Sequence, residues 1–70
     1  MKRRAVIARL RDESKRRGLA YGTEELTRHT AFYVDHHRST LGRHAEIDET
    51  TARAFWDQFA DVLGKGWWRK

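Results

Sequence analysis

The apolar positions of this 70-residue chain change period along its length. Val6, Ile7 and Leu10 recur at i, i+3 and i+4 spacing in an otherwise charged stretch. That spacing predicts an amphipathic helix from about Lys2 to Arg17, ended by Gly18, with Ala5, Ala8 and Ser14 at the margins of its apolar stripe. From Arg28 to Val34 the pattern becomes an alternation, the mark of a half-buried strand. Side chains swap faces at each step along a strand, so Thr30, Phe32 and Val34 share one face and His29, Ala31 and Tyr33 the other. Between helix and strand, Leu19 and Tyr21 alternate, but Gly22, Thr23, Glu24 and Glu25 are poor strand formers, which predicts a short or bulged edge strand. A further strand is predicted from about Ser39 to His44, with Leu41 facing the core and Thr40, Gly42 and His44 opposite. Asp35-His36-His37-Arg38 joins the two strands, and without glycine it predicts a four-residue loop rather than a tight turn. Ala52, Phe55, Trp56, Phe59, Val62 and Leu63 then return to helical spacing. Asp48 is placed to cap this second helix, Glu49 lies in its first turn, and Gly64 and Gly66 end it.

The predicted order is helix, three antiparallel strands, helix. Such an order gives an α+β domain in which both helices cover one face of the sheet and the other face stays open, the architecture of a double-stranded-RNA-binding domain. Residues 1–70 make a single domain, and a chain this short buries only about 60% of the surface its unfolded form exposes. With no cysteine, neither a disulfide nor a thiolate-bound metal supplements the core. Trp67 and Trp68 fall outside the predicted helices. They either pack back on the core or form an apolar surface for a partner.

Charge narrows the set of partners. Lys and Arg number 15 against 10 acidic residues, a formal charge of +5. Met1 to Gly18 alone holds eight of the cations and two of the acids. The imbalance favours a polyanion or an acidic protein as partner. Lys15, Arg16 and Arg17 also suit the C-terminal turn of the first helix, where the backbone dipole welcomes positive charge. Arg9 interrupts the apolar run Ala5-Val6-Ile7-Ala8, so neither a signal peptide nor a membrane span is expected, and a cytoplasmic location is.

The candidate chemistry centres on His29. An imidazole on the open face of a sheet in a basic protein is placed to exchange protons with a bound polyanion, because histidine's unperturbed pKa, about 6.5, lies near working pH. If the hairpin turns between His36 and His37, His29 faces His44 across the strands at a Cβ separation of about 5 Å, and one can serve as base and the other as acid. Arg28 and Arg43 are candidates for holding a phosphate, since guanidinium forks match its oxygens. Tyr33 shares the face of His29 and could stack on an unpaired base. Lys2, Arg3 and Arg4 are candidate contacts to a nucleic-acid backbone, with a plain solvated face as the alternative. His36 and His37 are expected to be solvated loop residues. The four histidines match no standard metal-ligand spacing, so no metal and no cofactor are expected.

Several segments, in this order, resemble the HicA family of toxin mRNA interferases. They are the opening Lys2-Arg3-Arg4 with Val6, Ile7 and Leu10; His29-Thr30-Ala31-Phe32-Tyr33; Arg43-His44-Ala45-Glu46-Ile47; Thr50-Thr51-Ala52-Arg53-Ala54; and the ending Gly66-Trp67-Trp68-Arg69. The chain departs from the family pattern just before His29, with Thr27-Arg28 where members usually carry a glycine and a small residue. The resemblance implies an endoribonuclease acting on mRNA, with His29 as its catalytic histidine. It also implies a HicB-type antitoxin that covers the active face, with His29 at that interface; Trp67 and Trp68, if they do not pack back, are candidates for a surface that the antitoxin or a second copy covers. The sequence does not fix the oligomeric state, and a monomer is the default expectation for the free toxin. Two other functions fit the composition: an RNA-binding module without catalysis, and a basic interaction protein that docks an acidic partner.

Overall fold

A computed structural model describes residues 1–69. It has the expected α-β-β-β-α order: α1 (Arg3–Arg16), β1 (Tyr21–Glu25), β2 (His29–Val34), β3 (His37–Gly42) and α2 (Glu49–Asp57), followed by the single turn α3 (Ala60–Leu63) and a 3-10 turn over Trp67–Arg69. The sheet is antiparallel in the order β1-β2-β3. No helix among the described residues is long and apolar enough to cross a membrane.

Helix α1 buries Val6, Leu10 and Ser14 along one stripe. Ser14 is fully buried because its hydroxyl donates to the Leu10 carbonyl one turn back, at 2.8 Å. No side chain caps the start of this helix. A backbone bridge holds it instead: Arg3 N–H donates to Ala45 O at 2.8 Å and Ile47 N–H to Met1 O at 2.7 Å. At the other end Gly18 turns at φ 71°, with Gly18 N–H on Lys15 O and Leu19 N–H on Ser14 O, the paired closure that satisfies a helix's last carbonyls.

Glu13 gathers the last-turn cations. Arg17 Nε lies 2.6 Å from its carboxylate and Arg16 donates to it as well. The hydrogen bond from Arg16, with help from Arg17, outweighs burial and holds the carboxyl at about 2, against an ordinary 4.5. A depressed folded-state pKa stabilises above the unfolded value and is lost as pH falls through the folded one. In urea titrations, the stability advantage of the native chain over Glu13→Gln should therefore be complete at pH 6, shrink below about pH 4.5 and vanish near pH 2.

The β1–β2 register runs from Tyr21↔Val34 to Glu25↔Thr30 without interruption, so β1 is the short edge strand expected, without a bulge. The β2–β3 connection differs from expectation. Val34 pairs with His37, leaving Asp35 and His36 as a two-residue turn. Asp35 does glycine's work there at φ 54°, a left-handed conformation that aspartate tolerates better than most residues. Its amide donates to Ala20 O at 2.8 Å, and its carboxylate accepts from Ala20 N–H at 3.0 Å. The tighter turn shifts the whole ladder. His29 faces Gly42 rather than His44, and β3 starts at His37 and ends at Gly42, so Arg43 and His44 lie beyond the sheet.

Thr30, Phe32, Val34 and Leu41 point beneath the helices and are at most 3% exposed. They meet Val6, Leu10, Ile47, Ala52, Phe55, Trp56, Phe59, Leu63 and Trp67. Phe32, Phe55 and Phe59 form an edge-to-face chain at 5.4 and 5.5 Å between centroids. The second predicted helix is broken at Gln58 and Phe59, whose amides bond three residues back to Phe55 O and Trp56 O. That tighter turn lets Phe59 and Leu63 both enter the core, at 0% and 1% exposure. Asp48 caps α2 as expected, accepting Thr51 Oγ1 at 2.6 Å and Thr51 N–H at 3.3 Å, and these bonds lower its carboxyl pKa. Gly64 and Gly66, at φ 91° and 70°, reverse the chain and return Trp67 to the core.

Candidate functional site

His29 opens β2 and is exposed, on the face of the sheet that the helices do not cover. Its neighbour across the ladder is Gly42, which has no side chain to crowd the imidazole. A Cβ built on Gly42 would point to the same side as His29 and would meet His44 Cδ2 at 3.7 Å. His44 thus reaches the face of His29 from the segment after β3, although it is not its ladder partner. Directly opposed Cβ positions lie about 4.5–5.5 Å apart, so His29 Cβ and His44 Cδ2 are within about 9 Å of each other, across a gap that Gly42 leaves empty. His29 also borders a shallow groove of about 300 Å³ along the β3 edge, beside Thr40, Thr51 and Gln58.

The neighbouring cations divide into two kinds. Arg28 is exposed in the bend before His29, and among the described residues it makes no hydrogen bond or ion pair. Arg43 is fully engaged. Its guanidinium donates to the carbonyls of Leu26, Thr27 and His29, and lies 2.8 Å from Glu25 Oε1. Glu25 in turn accepts from Thr30 Oγ1 at 3.0 Å; this bond first, and Arg43 second, lower its carboxyl pKa. Arg43 therefore clasps the β1–β2 loop and shapes the backbone leading into His29; the structure does not show it as a free phosphate ligand. Arg43→Met is expected to cost about 1–2 kcal/mol in urea unfolding and to speed hydrogen exchange at the Leu26 amide, which donates to His29 O at 2.8 Å.

The basic N-terminal trio divides in the same way. Arg3 spans two strands, with Nε on Gly42 O and Nη2 on Thr30 Oγ1, both at 2.8 Å. This bond set, of which the residue pattern carries no sign, pins Gly42 beside His29. Lys2 pairs with Glu46 at 2.8 Å, and Arg4 stays exposed. Tyr33 is half-buried on the open face, its hydroxyl donating to Glu24 at 2.7 Å and accepting from Arg38 Nε at 3.3 Å.

Trp67 is 5% exposed, and its indole N–H donates to Trp56 O at 3.0 Å. It belongs to the core and offers no surface to a partner. Trp68 is half-buried. His37 also departs from a free loop residue: it starts β3, and its Nε2 lies 3.2 Å from Asp61 in α3. Among the described residues no three His, Asp or Glu side chains converge as a metal-ligand set.

Together these features define a small α+β domain with an accessible imidazole at His29 on its open sheet face, a second imidazole nearby and, one position before His29 in the chain, an exposed arginine without a partner among the described residues. No family model, curated protein or solved structure matches the chain.

Proposed function

We propose that this chain is a metal-independent endoribonuclease that cleaves mRNA, with His29 as its proton-transfer group. In keeping with the HicA resemblance of its segments, we propose further that it is the toxin of a toxin–antitoxin pair, neutralised by a HicB-type antitoxin that covers the open sheet face. The observation that carries this reading is the exposed His29 opposite side-chain-free Gly42, with His44 on the same side.

The chemistry asked of these groups is a transesterification. The ribose 2′-oxygen attacks phosphorus while a neutral imidazole takes its proton. The bond from phosphorus to the 5′-oxygen breaks, and an imidazolium protonates that leaving oxygen. Arg28 is the group available to offset charge developing on the phosphoryl oxygens. Gly42 leaves room for the phosphodiester between the two rings. Arg43, Glu25 and Arg3 hold the backbone under the site. Trp67 lies in the core, so the antitoxin interface is proposed for the sheet face around His29.

The test is incubation of the purified protein with mixed-sequence single-stranded RNA in EDTA. Cleavage supports the reading. RNA retention without cleavage would instead indicate the non-catalytic binding module, and neither outcome would leave the basic interaction protein. Cleavage that demands a divalent ion sinks the metal-free scheme.

A further inference from the structure

A second cationic feature lies on the helical side, away from the open sheet face. Arg9 of α1, Arg53 of α2 and Arg69 of the last turn converge on a groove of about 590 Å³ floored by Trp56 and Trp68. The guanidinium carbons of Arg53 and Arg69 lie 5.6 and 5.2 Å from the Trp68 ring centre, and that of Arg9 lies 5.4 Å from the Trp56 ring centre. Arg9 is further fixed by donating to the Trp68 carbonyl, and Trp68 by donating its indole N–H to Asp57 at 2.7 Å. Three positive charges face two carboxylates here: Asp57, held on the Trp68 indole, and Glu49, which meets Arg53 only at a long 3.4 Å in an exposed pair. Among the described residues Arg69 has no carboxylate partner. Guanidiniums laid against indoles keep their N–H edges outward and lose little freedom when those edges bind an anion.

We propose that this groove is a phosphate-binding subsite for single-stranded RNA, lying outside the catalytic site and engaging the backbone through Arg53 and Arg69. The proposal rests on the ribonuclease reading and adds where the strand runs. Thr51 and Gln58 of α2 line the groove of His29, whereas Glu49 and Arg53 of the same helix line this one. A strand leaving His29 therefore has only to cross the outside of α2, a cylinder about 10–12 Å across, to reach it. The guanidinium planes beside Trp68 also suit the stacking of an unpaired base, which an acidic peptide would not use. That favours RNA over a protein partner as occupant.

The experiment uses the full chain with His29→Ala, so that RNA stays intact, and follows fluorescence anisotropy of an end-labelled ten-nucleotide RNA in EDTA from low to moderate salt. Adding Arg53→Gln and Arg69→Gln together is expected to weaken binding about tenfold at low salt. It should also flatten the slope of log affinity against log salt by about 0.7 for each phosphate that is no longer neutralised. If the double variant is not folded by circular dichroism, each single variant is expected to show one such step. An unchanged slope with RNA still bound overturns the subsite and leaves the ribonuclease reading standing. Failure of the His29→Ala chain itself to bind RNA defeats both. Tighter Arg53- and Arg69-dependent binding of a ten-residue polyglutamate than of RNA also overturns the subsite and assigns the groove to an acidic protein.

Discussion

Replacing His29 with alanine is expected to lower RNA cleavage by at least about 100-fold, since a positioned proton-transfer group contributes on the order of 10²–10⁴ in rate. The side chain is exposed and outside the core, so the variant should unfold within about 0.5 kcal/mol of the native chain. Lost cleavage with unchanged stability separates a chemical role from a structural one. His44→Ala gives the second half of the measurement. If His44 supplies the other proton transfer, its loss should also slow cleavage by tenfold or more and remove one limb of the pH–rate profile. Native cleavage in His44→Ala would end the two-imidazole scheme, and native cleavage in His29→Ala would end the assignment of the site.

The largest effect on stability is expected at Phe59. Its ring is fully buried, it meets Phe55 edge to face, and it occupies the tight turn between α2 and α3. Phe59→Ala removes that ring from a core with no disulfide in reserve and should cost about 3–5 kcal/mol in urea or thermal unfolding. Small domains have thin margins, so this one change should leave much of the population unfolded at 37 °C. Val62, only half-buried on the same segment, is the natural comparison: Val62→Ala should cost far less. Equal losses at the two positions would mean that the turn at Gln58 and Phe59 does not direct Phe59 inward.

The coarse fold was legible because period is a strong signal. Val6 and Leu10, Phe32 and Val34, and Phe55 and Phe59 each announced both the element and its buried face. The hairpin was not legible, because Asp35 took a positive φ usually signalled by glycine, and the energy for that came from Ala20, fifteen residues away in sequence. That single turn moved the ladder by two residues and so changed the partner of His29. Exposure of His29 followed from alternation alone. The duties of Arg3 and Arg43 did not: an arginine that clamps carbonyls looks, in sequence, like one that waits for phosphate. Trp67 was hidden for a similar reason, since only the reversal at Gly64 and Gly66 carries it home. The arginine groove at Trp68 was out of reach because its three cations come from the first helix, the second and the tail.

All three tryptophans of the chain stand in one cluster, Trp56 with Trp67 at 6.1 Å and with Trp68 at 5.8 Å. Ultraviolet emission at long wavelength therefore originates from a single locale under the helices, and the sheet is dark except for Tyr21 and Tyr33. A spectroscopist watching the indole signal sees the helical layer come loose, whereas a probe on the hairpin would be needed to see the strands part. If the two signals melt at different temperatures, the domain has a separable lid, and if they coincide it comes apart as one body.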